Sequence, residues 1–436
     1  MEIAQQSQRQ DWPVWRRIVF RFFFIYLLLN ISPWTWLGSV PGISYLNDLY
    51  SNLMDWLVNF SNDHFFHVRK VLVPLNGSGD TSYGWAQVWL FLSLAFIGCL
   101  IWSFFDRKRK AYHQLNYWLC LFTRYYISLI AFIYGIEKLF ALQMPFPNLS
   151  QLATPLGDFL PMRLSWMFVG YSTPYQVFSG VMETMVGLLL LYRRTTTLGI
   201  LMGTAVFLNV MMLNLCYDIP VKIFSIHIVI MCLFLLVNEF ERISCFFILN
   251  RPAAACNIYE YHFPKKWMRI TRVILKVAFI IIAVGLQFKG MVEYYKSSHT
   301  DKAIKPVPVG VYDVAFFSIN KDTIPFSVND SLRWRDVIFD NFGFGSIKTA
   351  DSAFRQRYKR AYFNYSGDTL KHTISFKKMQ GDSLDIFLLH YLMPDSNTVL
   401  LWGKQKNDSL FIQLKKSNRH FQLAEKQFHW LSEYNR

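Results

Sequence analysis

Seven stretches of about 20 mostly apolar residues recur along the first 300 positions, near 17–37, 84–105, 117–142, 174–192, 197–216, 220–238 and 270–289. A hydrocarbon core of roughly 30 Å demands that length of a helix, so each predicts a membrane span. The first is the weakest, because Pro33 and Trp34 break into it. Between the first two, the stretch 43–73 places Leu46, Leu49, Leu53, Trp56, Leu57 and Phe60 at helical spacing, which predicts an amphipathic helix on the membrane surface. From 303 to 436 the pattern changes to short alternating runs rich in Val, Ile, Phe, Tyr and Thr. Turn signals at Asn320-Lys321-Asp322, Asn329-Asp330, Gly367-Asp368, Gly381-Asp382, Asp395-Ser396-Asn397 and Asn407-Asp408 bracket them. The expected architecture is an α-helical polytopic bundle over 1–300, followed by an all-β domain over 303–436. Its eight or nine strands in up-and-down order suggest a small closed barrel, since closure removes exposed edges.

Composition narrows the class. Of the 436 residues 53% are hydrophobic and only 17% charged, against roughly 25% charged in an ordinary soluble domain, which argues against a soluble enzyme. The balance of 45 Lys and Arg against 29 Asp and Glu gives +16. These basic residues sit beside apolar runs, so the partner they imply is a lipid surface and not a nucleic acid. They also predict orientation. Arg16 and Arg17, the run Arg107-Lys108-Arg109-Lys110, the pair Arg193 and Arg194, and the group Arg242, Arg251, Lys265, Lys266 and Arg269 all fall on one side. That side is cytoplasmic if Lys and Arg are retained inside. The expectation is a bacterial inner membrane, with the N-terminus cytoplasmic and the β domain extracytoplasmic. No small-residue cleavage site follows the first apolar run, so that run reads as an uncleaved span. The six cysteines show neither CxxC nor Cys/His spacing and none lies beyond residue 300; a zinc site is not supported and a disulfide in the β domain is excluded. His372, His390, His420 and His429 are scattered without ligand spacing.

Polar side chains inside the spans carry the candidate chemistry, because a charge in the bilayer is costly unless paired or solvated. Lys138 on the third span, Glu183 on the fourth, Asn209 on the fifth and His227 on the sixth all lie about 9 to 13 Å from the same end, at 1.5 Å per residue. Asn214, Asp218 and Lys222 would line the mouth there, beside Pro220, and Tyr134 lies one turn before Lys138. Lys138, Glu183 and His227 are thus the candidates for proton handling, and Tyr134, Asn209, Asn214 and Lys222 for holding a ligand. A desolvated Lys gives up its proton readily and can act as a base. The competing reading is that a Lys138–Glu183 ion pair fastens the third span to the fourth, helped by Ser179, Gly180 and Gly187. Arg124, on the Lys138 face but deeper, would cap that helix end or bind a lipid phosphate.

Two segments, Gly135-Ile136-Glu137-Lys138-Leu139 and Gly180-Val-Met-Glu183-Thr-Met-Val-Gly187, with Arg193, Arg194 and a span ending at Asn214, resemble the DoxX and HTTM membrane families over roughly 117–238. The latter includes the membrane part of vitamin K-dependent gamma-carboxylase. The resemblance implies Lys138 as a base facing a quinol, and hence a quinone-linked oxidoreductase or carboxylase-like activity with a quinone or quinol cofactor. The strand Gly310-Val-Tyr-Asp-Val-Ala-Phe resembles a lipocalin-type first strand. Two functions remain open: quinone-type lipid binding in an outward-facing cavity, or a non-catalytic anchor whose barrel docks an envelope protein or lipid. A transporter ranks third, since no inverted repeat is evident.

Overall fold

A computed structural model describes residues 11–39, 44–75, 77, 79–252, 264–300, 305–325, 333–350, 354–378, 385–405, 407–426, 429–431 and 433. The chain divides into two compact units, Met1–Gln143 with Pro174–Val292, and Met144–Thr173 with Glu293–Arg436.

The first unit is a helical bundle. Its helices are α1 (Val14–Ile31), α2 (Ser44–Ser61), α3 (Ser82–Phe105), α4 (His113–Leu139), α7 (Thr173–Leu191), α8 (Thr196–Cys216), α9 (Lys222–Asn238), α10 (Phe240–Phe247) and α11 (Lys266–Ile280). Two short helices, α5 (Leu149–Leu152) and α6 (Pro161–Tyr171), fall in the second unit. Among the described residues, six helical segments are long and apolar enough to cross a membrane: Val14–Trp36, Ser82–Phe105, His113–Leu139, Thr173–Leu191, Arg193–Cys216 and Lys266–Ser298. A seventh span arises if α9 and α10, bent by 72° at Glu239, are taken together. The chain is therefore a polytopic membrane bundle followed by a β domain, as the hydropathy pattern predicts. Leu27, Ala86, Ala95, Ile127, Ala131 and Val186 are fully buried in its core. On α2 the side chains of Leu46, Leu49, Leu53, Trp56 and Phe60 stay exposed, while Val58 and Ser61 on its other side are buried.

The β domain is a closed antiparallel barrel. Its strands are β1 (Gly310–Ile319), β2 (Asp322–Thr323), β3 (Asp336–Phe339), β4 (Phe344–Ile347), β5 (Arg355–Arg357), β6 (Arg360–Asp368), β7 (Thr373–Lys377), β8 (Asp385–Asp395), β9 (Thr398–Gln405) and β10 (Asp408–Lys416). The order β1-β3-β4-β6-β7-β8-β9-β10 runs in sequence and closes by pairing β1 with β10, from Tyr312 opposite Lys416 to Ile319 opposite Leu410. The short strands β2 and β5 pair with β1 and β6. Asn320 and Lys321 both take positive φ, 51° and 73°, as a two-residue hairpin twisted to match its strands requires. Asp395 accepts from the backbone N–H of Asn397 and sets another predicted turn. The signals at Asn329-Asp330 and Gly381-Asp382, and Cys256, lie outside the described residues. Inward-facing Phe317, Trp334, Phe363, Phe376 and Phe387 fill the interior, with ring centroids about 5 to 6 Å apart, so side chains occupy it as in other eight-stranded barrels.

The boundary between the units departs from a simple division near residue 300. The segment 144–173, expected as a loop between spans, packs with the barrel, and the bundle unit ends at Val292. The reason is polar. The side chains of β3, β4 and β6 alternate, and those turned away from the aromatic interior include Asp336, Ser346 and Arg360, with Asp340 just past β3; all are buried. The 144–173 segment supplies partners. Asp340 accepts from the backbone N–H of Leu149 at 2.9 Å and from the Ser150 hydroxyl at 2.5 Å, at the N-terminus of α5. Ser346 donates to Ser150, Arg360 donates to Ser346 through Nε at 2.9 Å, and Arg360 Nη2 reaches Asp336 at 2.6 Å. Asp313 and Asp336 face each other across β1 and β3, and Arg419 bridges the two like charges at 2.6 and 3.0 Å. A loop without these partners would leave buried charges unsatisfied.

Candidate functional site

Lys138 and Glu183 meet where α4 and α7 cross. Lys138 Nζ donates to both carboxylate oxygens, at 2.6 and 2.7 Å, and the residues are 7% and 3% exposed. Glycine makes the approach feasible. A Cβ on Gly180 would sit 2.7 Å from the Gly135 carbonyl and 2.9 Å from Lys138 Cβ, and one on Gly135 would sit 2.5 Å from Thr184 Oγ1. Further along, Gly187 lies against the Phe132 ring and its carbonyl accepts from Ser128. The pairing of 135 with 180 and of 132 with 187 makes the helices antiparallel. Side chains lean toward their own helix N-terminus, so Lys138 and Glu183 converge from opposite directions over the Gly135/Gly180 contact. With both oxygens engaged, the ammonium is locked in a closed clamp.

A cavity lies beside this clamp, at the end of the bundle where α4 finishes and α9 begins. Its inner chamber, about 300 Å³, is lined by Asn30, Gln87, Phe91, Tyr126, Tyr134, Phe224 and His227, among others. An adjoining chamber of about 630 Å³ shares Asn30, Leu75, Gln87 and Phe91 with it and continues beneath α2, where Tyr50, Asp55, Asn59 and Tyr83 join the lining. The Tyr83 hydroxyl donates to the Asp55 carboxylate and so ties α2 to α3 over the larger chamber. Together the chambers fall within the size range of small-molecule sites, apolar walls with a few polar groups. His227 has a defined tautomer. Its Nδ1 lies 2.6 Å from the Ile223 carbonyl, which only accepts, so Nδ1 carries the proton and Nε2 accepts from the Tyr26 hydroxyl at 2.6 Å.

The predicted site residues separate accordingly. Tyr134 and His227 line the inner chamber. Lys138 and Glu183 do not line either chamber, but the Lys138 ammonium lies 5.8 Å from the Tyr134 ring centroid, so Tyr134 stands between the clamp and the cavity. Asn209 does not join them: its side chain is on the exposed face of α8, because the α8 residues that pack inward are Gly199, Gly203 and Phe207. Asn214 is buried near the end of α8, outside both chambers. Lys222 is held in a helix-start motif. Asp80 accepts from the backbone N–H groups of Lys222 and Ile223, at 2.7 and 2.9 Å, and Lys222 Nζ pairs with Asp218 at 2.7 Å. Sequence reasoning missed Tyr26, Asn30, Gln87 and Tyr126. Tyr26 and Asn30 stand one turn apart on the first span and Gln87 interrupts the second, so uncharged polar residues inside apolar runs were the signal. Among the described residues no group of three His, Cys, Asp or Glu side chains could hold a metal ion.

Fold and cavity define a polytopic helical membrane protein that carries a closed eight-stranded β-barrel. Over 114 residues, 26% of this chain and 71% of the other, it is 32% identical to the uncharacterized protein YwoB of Bacillus subtilis strain 168, and the chain belongs to that protein's family. No family model matches the chain, and no solved structure matches it.

Proposed function

We propose that the bundle binds a quinone-type lipid in the two-chambered cavity and handles its proton, in a bacterial inner membrane with the N-terminus cytoplasmic and the cavity and barrel facing out. The observation that carries this reading is the lining: neutral hydrogen-bonding groups (Asn30, Gln87, His227) set among aromatic rings (Phe91, Tyr126, Tyr134, Phe224). That donor set suits a flat ring bearing two oxygens, and a bound quinone would supply reversible two-electron chemistry. Asn30 and Gln87 offer amide donors to ring oxygens. His227 offers Nε2 as a proton acceptor once the Tyr26 hydroxyl turns aside, and its Nδ1–H bond to Ile223 keeps the tautomer. Lys138, the base by resemblance, acts here as the clamp partner of Glu183 that positions Tyr134. The test is extraction of lipid from the full chain purified in mild detergent. Retained quinone that is lost in His227→Ala and Tyr134→Ala supports the proposal; no quinone in the wild type overturns it.

A second reading is favoured by one surface. On the barrel exterior Leu388 and Leu392 of β8, Trp402 of β9 and Phe411 of β10 are exposed side by side, with His390 stacked on Trp402 at 5.8 Å. In this reading the bundle anchors the barrel, which docks an envelope protein or lipid by that face. The variant Trp402→Lys with Phe411→Ser reproducing the null phenotype, with His227→Ala silent, would select it.

A further inference from the structure

The geometry points to a second ligand site, for the phosphate headgroup of an anionic lipid, between α4, α11 and the Tyr192–Thr196 turn at the arginine-rich end of the bundle. Two cations converge on that turn. Arg124 Nη1 donates to Thr196 Oγ1 at 3.2 Å, Thr196 Oγ1 donates to the Tyr192 carbonyl at 2.8 Å, and Lys276 Nζ lies 4.6 Å from the centroid of the Tyr192 ring. Helix α11 is held against α4 there by Tyr125 and Phe279, whose centroids are 4.9 Å apart. Arg272 lies one turn before Lys276, and Arg193 and Arg194 open the same turn.

The cluster brings two cations to one turn without a carboxylate partner among the described residues. Two buried cations elsewhere in the chain do have a carboxylate, Lys138 in Glu183 and Arg360 in Asp336, and Arg21 is held by three neutral oxygens, of Tyr112, Ser103 and the Asp106 carbonyl. Arg124 and Lys276 have no carboxylate partner among the described residues, and Arg124 Nε is buried without any hydrogen bond. Each lies about ten residues, or roughly 15 Å at the helical rise, from the start of its helix at His113 or Lys266. Two like charges at that depth are unfavourable unless an anion sits between them. A guanidinium fork beside an ammonium is suited to phosphate oxygens. A lipid is the source that fits, because Ile270, Val273, Ile274 and Val277 on the same helix are exposed and would lie along acyl chains.

The full chain, delipidated in uncharged detergent, is offered short-chain phosphatidylglycerol, phosphatidylcholine of the same chain length, or inorganic phosphate, and retention and thermal protection are read. Phosphatidylglycerol should be retained over phosphatidylcholine. Arg124→Gln and Lys276→Gln should each weaken it about five-fold, and Lys276→Arg should keep it. Equal retention by the Gln variants overturns the proposal, as does protection by inorganic phosphate alone. Because Arg124 also bonds Thr196, Lys276→Gln carries the test by itself if Arg124→Gln does not fold. None of these residues lines the quinone cavity, so failure here leaves that reading standing.

Discussion

The bundle and the barrel each bury a basic side chain against a carboxylate, but they support it differently. In the bundle, Lys138 and Glu183 hydrogen-bond to each other across a glycine contact, with the Tyr134 ring 5.8 Å from the ammonium, so the pair is a short two-residue link between helices that also meet through Ser128 and the Gly187 carbonyl. In the barrel, Arg360 and Asp336 belong to a chain of groups running through Ser346, Ser150, Asp340, Arg419 and Asp313, and one member, Ser150, is 190 and 196 residues from its partners Asp340 and Ser346 in sequence. The two units are therefore vulnerable at different points. Removing one member of an isolated pair strands a charge, whereas removing one member of a network leaves the rest partly satisfied.

The largest expected effect follows from that isolation. Lys138→Ala or Glu183→Ala should destabilise the bundle by about 3 to 5 kcal/mol in thermal unfolding in detergent, while Lys138→Met with Glu183→Leu should restore most of the loss. Failure of the double variant to recover would break the comparison. Next in size, Gly180→Val should cost about 1 to 3 kcal/mol or more, since its Cβ would meet the Gly135 backbone at 2.7 Å; this is read in the same assay. In the barrel, Ser150→Ala should cost about 1 to 2 kcal/mol, because Asp340 and Ser346 lose one partner but keep others; protease protection of the 144–173 segment reports it. The smallest effect is a pH slope. Burial raises the Asp340 carboxyl above its ordinary value, against the opposing pull of the Ser150 hydroxyl, the Leu149 and Ser150 N–H groups and Arg360. Its contribution to stability is therefore full below the unfolded carboxylate value and lost as pH rises through the raised folded one. Asp340→Asn should flatten that slope in denaturant titrations.

Much of this architecture was legible in the sequence, and particular residues show why. Span lengths follow from bilayer thickness, so the seven predicted stretches fall on helices, although the sixth, α9, counts as a span only together with α10 across the bend at Glu239. Alternation and the Asn320-Lys321 turn made the up-and-down barrel readable, because hairpins are local. The docking of 144–173 was not readable, since it depends on Ser150 meeting Asp340 and Ser346 over a sequence separation of about 190 residues. Within the bundle, depth alone put Lys138, Glu183, Asn209 and His227 together. Rotation about the helix axis then decided the outcome: Lys138 and Glu183 pair, His227 turns to the cavity, and Asn209 faces outward on α8. The Gly-x-x-Lys and Gly-x-x-Glu segments read as chemistry, and in the structure their glycines also let two helix backbones touch.

The most direct test of the account is a titration of the purified chain with a short-chain soluble quinone, followed by ligand-induced thermal stabilisation, in wild type, His227→Ala and the Lys138→Met/Glu183→Leu double variant. Saturable stabilisation is expected in the wild type, with loss in His227→Ala and persistence in the double variant. Binding that survives His227→Ala but vanishes in the double variant would return the site to the lysine and contradict the assignment of the cavity.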